Sequence, residues 1–361
     1  MRLPTYQDLS KEQDKINNLP LEASHVVVGP PGTGKTVMAL YRAQMLSEEG
    51  AKAVLLMYSR LLSQYTQSAV EELNIEGKVK TFHAWFGGFW LRHYRTRSPQ
   101  VEPYKFDWGE IIQTLLMRPL KPGTLPHLIV DEGQDLSREF FALARHVSRH
   151  ITVFCDENQR LTEENTTVEE IQRALCVERV HLLTRNYRNT KEIARLAAHF
   201  YTGLPSGIPK TPTRSGEKPA MLKFGSLHET VEYIARYERN HDDLQIAVLT
   251  PNNKLRTKFV NRLVNKTVNP VQTFYSGCKE PVDFDQAGIT VVNYQSAKGL
   301  EFDTVFIPEL QAMPYDFAKP ETKMMFYVLL SRAREELYLT YSGGERPACL
   351  SAFPQDHLDW R

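Results

Sequence analysis

The sequence predicts an α/β protein of two parallel-sheet domains, and three observations carry that prediction. Short runs rich in β-branched residues alternate with longer helical patterns, beginning with Val26-Val27-Val28 and a helix from about Lys35 to Leu46. The strand candidates are apolar on both faces, as a sheet covered by helices on each side requires. The alternation occurs twice within 361 residues, a length that suits two domains of ordinary size.

In the first half, strands are predicted at Ala53 to Tyr58, Val79 to Phe82, His127 to Asp131, Ile151 to Cys155 and Val180 to Leu183, with an amphipathic helix at Arg138 to Val147. In the second half they fall at Met221 to Phe224, Gln245 to Leu249, Thr290 to Asn293, Thr304 to Ile307 and Leu337 to Thr340. Helices are expected at Glu229 to Tyr237, Asn253 to Val264 and Glu321 to Arg334. Pro, Gly and Ser mark loops at Arg97 to Tyr104 and Leu204 to Lys218. The joint between domains is expected near residues 176–190.

Composition narrows the function. The chain is 42% hydrophobic and 24% charged, which supports packed cores and argues against disorder. No apolar run approaches a membrane span, and Met1-Arg2-Leu3-Pro4-Thr5 leads straight into polar sequence with no signal peptide. Cys155, Cys176, Cys278 and Cys349 lack metal-type spacing and are expected as buried, reduced thiols of a cytoplasmic protein. The net charge is +1, so any grip on nucleic acid must come from a local basic groove.

The strongest motif is Gly29-Pro30-Pro31-Gly32-Thr33-Gly34-Lys35-Thr36. It follows a strand and opens a helix, which is the setting a phosphate-binding P-loop needs. Glycines let backbone N–H groups curl round the phosphates, and the helix N-terminus adds its dipole. Lys35 would reach the β- and γ-phosphates of ATP, and the Thr36 hydroxyl would ligate Mg²⁺. A P-loop also needs a carboxylate at a neighbouring strand end. His127-Leu128-Ile129-Val130-Asp131-Glu132 supplies one, with Asp131 on the metal and Glu132 polarising the attacking water.

Further motifs follow in a fixed order. Asp131-Glu132-Gly133-Gln134-Asp135 resembles the DExQD form of helicase motif II. Gln13 resembles the adenine-reading Q-motif glutamine. Thr81-Phe82-His83 matches a TFH motif, and Asp156-Glu157-Asn158-Gln159 stands where motif III belongs. Asn186-Tyr187-Arg188 is similar to motif IV, Gln295 through Phe302 to the KGLEF motif V, and Tyr327 through Ala333 to motif VI. Together they resemble the UvrD/Rep/PcrA branch of helicase superfamily 1.

That resemblance implies two tandem RecA-like domains, residues 1–178 and 179–361, with an ATP site in the cleft between them. It implies that Gln13 and Tyr187 contact adenine and that Glu301, beside Gly299, holds the ribose. Gln159 would sense the γ-phosphate, and Arg188 and Arg332 would reach it with planar, always-charged guanidinium groups. Tyr58, Thr81, Phe82 and His83 would touch single-stranded DNA. The chain also departs from the family. From Lys35 to Asp131 it runs 96 residues and from Arg188 to Gln295 107, too few for the accessory domains called 1B and 2B. After Gln159, Arg160 to Asn165 holds no aromatic to stack on a base, and Gln295 stands where a histidine is common. Aromatics from Trp85 to Tyr94 have the spacing of a core-facing helix stripe, with a stacking groove as the other reading.

The implied activity is a Mg²⁺-dependent ATPase motor moving 3′→5′ on single-stranded DNA, with duplex unwinding left open. A switch acting on a partner such as a nuclease, and an RNA helicase, stand as alternatives.

Overall fold

The computed structural model describes residues 3–156, 166–203, 207–275, 277–278 and 280–361. The chain divides into two compact units, Met1–Gly29 with Gly34–Leu183, and Pro30–Thr33 with Thr184–Arg361.

Unit 1 contains strands β1 (His25–Val28), β2 (Ala53–Met57), β3 (Val79–Thr81), β4 (Gln100–Glu102), β5 (Lys105–Phe106), β6 (Leu125–Val130), β7 (Ser148–Cys155) and β8 (Val180–Leu182). Six of them form one sheet in the order β3-β2-β6-β7-β1-β8, every pair parallel. β4 and β5 make a separate antiparallel hairpin that begins in the predicted Arg97–Tyr104 loop and ends just beyond it. The helices are α1 (Lys11–Asn17), α2 (Lys35–Glu48), α3 (Arg60–Tyr65), α4 (Gln67–Glu72), α5 (Phe82–Tyr94), α6 (Trp108–Met117), α7 (Arg138–Val147) and α8 (Val168–Leu175). Local chemistry sets several starts. The hydroxyls of Ser10, Ser137 and Thr167 accept the backbone N–H groups of Gln13, Phe140 and Glu170, which satisfies otherwise orphaned donors at α1, α7 and α8.

Two boundaries differ from the sequence expectation. The joint lies after Leu183 and not at 178/179, because Val180–Leu182 pairs with β1 and completes the first sheet. β3 stops at Thr81, and Phe82 opens α5. The stripe Phe82, Trp85, Phe86, Phe89, Trp90 and Tyr94 lies wholly inside the first core, with Phe106 and with Phe140 and Phe141 of α7. Each buried ring contributes roughly 1.5–3 kcal/mol of hydrophobic stabilisation. The core reading of these aromatics therefore prevails over the stacking groove.

Unit 2 contains β9 (Ala220–Phe224), β10 (Gln245–Thr250), β11 (Gln272–Thr273), β12 (Gly288–Asn293), β13 (Phe302–Ile307), β14 (Ala333–Ser342) and β15 (Asp359–Trp360). They form a wholly parallel sheet in the order β11-β12-β10-β13-β14-β9-β15. Helices α9 (Lys191–His199), α10 (Leu227–Asn240), α11 (Asn253–Leu263) and α12 (Pro320–Leu330) belong to it. The expected helix to Arg334 ends at Leu330, and Arg332 sits in the turn before β14. Both units are RecA-like α/β folds. Among the described residues, neither of the two long intervals between motifs holds an inserted domain. No described helix is long and apolar enough to cross a membrane. Cys155 and Cys278 are buried as expected, but Cys176, which ends α8 in the left-handed conformation, is exposed, and Cys349 is only half-buried.

Candidate active site

The P-loop joins β1 to α2, both of unit 1. Gly34 takes φ +88°, where any side chain would be strained, and a Cβ there would lie 2.6 Å from the Gln13 amide nitrogen. Gln13 is buried, and its side-chain oxygen accepts the Ser10 N–H at 3.0 Å, closing the capping box of α1. Its structural role is thus plain, and it packs directly against the loop.

Lys35 is buried at the start of α2. Its ammonium donates to the Gly29 carbonyl at 2.6 Å and pairs with the Asp156 carboxylate at 3.3 Å. The Thr36 hydroxyl donates to the Asp131 carboxylate at 2.8 Å. Asp131 and Glu132, both buried, follow β6 directly. Burial first, and the like charge of Glu132 second, hold the Asp131 carboxyl well above its usual range; the Thr36 hydrogen bond and Lys35 oppose them. A divalent cation at this hydroxyl and carboxylate would offset that penalty, so the donor set fits Mg²⁺, which takes few protein ligands and completes its shell with water and phosphate oxygens.

Glu132 adopts φ +53°, an uncommon conformation for a non-glycine residue and one that recurs at functional sites. Its carboxylate accepts the Gln134 side-chain N–H at 2.5 Å, while the Gln134 oxygen accepts the backbone N–H of Asp156 at 2.9 Å. Sequence reasoning gave Gln134 no role. The signal was its place in the DExQD motif, but its partner at Asp156 emerges only from the pairing of β6 with β7.

The other candidates belong to unit 2. Arg188 donates from Nε to Glu301 at 2.5 Å, and its Nη1 is buried without a hydrogen-bond partner among the described residues. A buried guanidinium nitrogen of that kind suits an anion. The Asn189 amide, one residue past motif IV, donates to the carbonyls of Ser331 at 3.1 Å and Ala333 at 2.6 Å in motif VI, while the Arg188–Glu301 pair links motif IV to motif V. Tyr187 is 42% exposed and offers a ring face. Gly299 takes φ +80° in the turn before Glu301. Arg332 is buried and donates to the carbonyls of Val328 and Leu300 and to the Ser331 hydroxyl. Reaching a phosphate would require it to exchange some of these bonds. Gln159, with the segment that follows it to Asn165, lies outside the described residues.

The four expected nucleic-acid contacts do not share one fate. Thr81 pairs with Met57 at the ends of β3 and β2, and the ring of exposed Tyr58 lies 6.0 Å from that of His83. The Nε2 of His83 is hydrogen-bonded to the Tyr104 carbonyl, and burial pulls its pKa below the ordinary value. Phe82 is a correction. It is 5% exposed, with edge contacts to Phe106 and Phe140, so it has no free face for a base. Position 82 starts α5, and the first turn of that helix faces the core. Phe82→Ala is therefore expected to lower stability by about 3–5 kcal/mol in denaturant unfolding. A loss under about 1 kcal/mol would return the ring to the surface. Tyr104, 74% exposed at the tip of the β4–β5 hairpin and edge-on to His83, was not anticipated, because nothing periodic surrounds it.

Two parallel-sheet units with this loop, strand-end acid pair and lysine define the P-loop NTPase class. Residues 13–165 match the model of an AAA domain, and residues 279–344 match that of the UvrD-like helicase C-terminal domain. The chain is thus similar to AAA domains over residues 13–165 and to UvrD-like helicases over residues 279–344. It is 24% identical over 351 residues to a "putative ATP-dependent DNA helicase" of Acanthamoeba polyphaga mimivirus, an alignment that covers 85% of this chain. The chain spans half the length of that relative. Among solved structures, it is similar to the C-terminal domain of a "possible DNA helicase" from Lactobacillus plantarum. The TM-score is 0.37 at 19% identity, over 48% of this chain and 98% of that one.

Proposed function

We propose that this chain is a Mg²⁺-dependent ATPase motor that moves on single-stranded DNA, with 3′→5′ polarity. The observation that carries the reading is the group of buried Lys35, Asp131 and Glu132 with half-buried Thr36, gathered at one end of the first sheet. Lys35 holds the β- and γ-phosphates, exchanging its bonds to Gly29 and Asp156 for phosphate oxygens. Thr36 and Asp131 hold the cation, which when bound neutralises charge on those oxygens. Glu132 takes a proton from the attacking water. Gly29 through Gly34 wrap the phosphates with backbone N–H groups. Gln13 and Tyr187 border the base, and Glu301 with Gly299 the sugar. Arg188 and Arg332 stabilise charge that develops on the γ-phosphate, and Gln159 senses it.

The DNA surface is read as Tyr58, Thr81 and His83, with Tyr104 added and Phe82 removed. Exposed aromatic rings there stack on bases without regard to sequence. The name of the mimivirus relative, an ATP-dependent DNA helicase, supports DNA as the polymer.

The test is phosphate release with single-stranded DNA, with RNA and with neither. Stimulation by DNA above RNA is expected, and the gain should shrink with salt as counterions compete for the backbone. Stimulation by RNA alone would make the chain an RNA motor. A rate that responds to neither polymer, and changes only on adding a protein such as a nuclease, would make it a switch.

A further inference from the structure

We propose that Gln134 is a positioning residue that sets the attacking-water base, Glu132, against the end of β7. The inference rests on the ATPase reading above. Gln134 is fully buried and uses both ends of its amide. The nitrogen donates to Glu132 at 2.5 Å and the oxygen accepts the Asp156 N–H at 2.9 Å. Asp156 in turn pairs with Lys35 at 3.3 Å. One amide thus joins the base to the residue that holds the phosphate lysine.

A second copy of the clamp in unit 2 shows that it is a device of the fold. In unit 1, Val130 at the end of β6 pairs with Val153 of β7. In unit 2, Ile307 at the end of β13 pairs with Leu339 of β14. Counted from those pairs, the correspondence holds at each position. Two residues on come Glu132 and Glu309, both left-handed at φ +53° and +58°, and both followed by a short 3₁₀ turn. Four residues on come Gln134 and Gln311, and Gln311 donates to Glu309 at 2.7 Å. Three residues along the partner strand come Asp156 and Ser342, and the Ser342 N–H donates to the Gln311 oxygen at 3.1 Å.

The glutamate's neighbours differ. Glu309 also accepts the hydroxyls of Thr230 at 3.0 Å and Ser342 at 2.7 Å. No P-loop precedes α10, the helix that carries Thr230. The same left-handed strand end is therefore built twice, once around a glutamate committed to packing and once around the proposed base. In both units the glutamine fixes where the carboxylate points relative to the adjacent strand.

The test compares Gln134→Met, which keeps length and removes both hydrogen bonds, with Gln311→Met as the matched control. The shorter Gln134→Asn serves if the methionine variant does not fold. Expected for Gln134→Met is a fall in kcat of about 10- to 100-fold with KM for ATP unchanged within about threefold. The same change on a Glu132→Gln background should cost nothing more, since a residue acting through Glu132 has nothing left to position. Gln311→Met should lower Tm with kcat intact. An unchanged kcat, an additive loss on the Glu132→Gln background, or an equal kcat loss from Gln311→Met would overturn the proposal while the ATPase reading stands. A wild-type chain with no ATP turnover would overturn both.

Discussion

Lys35→Ala is expected to lower ATP turnover by about 10³-fold or more, through loss of the charge proposed to hold the β- and γ-phosphates as negative charge redistributes. The ammonium is buried beside Gly29 and Asp156, so no solvent-borne cation replaces it readily. The substitution also removes one partner of a buried ion pair, and the Asp156 carboxylate is left with one cation fewer. Some loss of stability should accompany the loss of turnover. Measuring turnover on protein shown to be folded by its unfolding transition separates the two effects. Turnover at the wild-type rate would dismiss the P-loop assignment.

Glu132→Gln should act differently. Glutamine keeps the shape, and its carbonyl can still accept the Gln134 N–H, but it takes no proton from water. Single-turnover hydrolysis should slow by about 10²–10⁴-fold. The nucleotide Kd should stay within about threefold, the pattern of an interaction made only in the transition state. Removing one of two adjacent buried charges also relieves the repulsion that raises Asp131, so the variant should fold at least as well as the wild type. Lost binding with unimpaired residual hydrolysis would mean that another group is the base.

Much of this site was legible because its signals are local. The glycines of the P-loop, Lys35 and Thr36 lie within one turn between strand and helix. Asp131 and Glu132 end an apolar run. Such patterns need no knowledge of what packs against them. The fold class was legible for a similar reason, since strands buried on both faces announce a helix-covered sheet.

What escaped the sequence depends on register and on the third dimension. Gln134 meets Asp156 only because β6 pairs with β7. The Glu309–Gln311 clamp hides among different flanking residues, with Pro308 where unit 1 has Asp131. Phe82 sits in the TFH motif, expected to touch DNA, yet a helix starting at that position turns its ring inward. Strands of two residues, such as β11 and β15, are too short to show a period. Val180–Leu182 reads equally well as the last strand of one unit or the first of the next, until its pairing with β1 decides.

Phosphate release by the wild-type chain, followed with Mg²⁺ present and then with the cation chelated, at a saturating level of single-stranded DNA, tests the proposed motor most directly. Thr36 and Asp131 are the chain's proposed contribution to the metal, and without the cation the phosphate charge proposed to face Lys35 would be only partly offset. Turnover that rises with DNA in Mg²⁺ and falls to background on chelation is the predicted result. Turnover that persists after chelation, or that ignores DNA at every salt concentration tested, would contradict it.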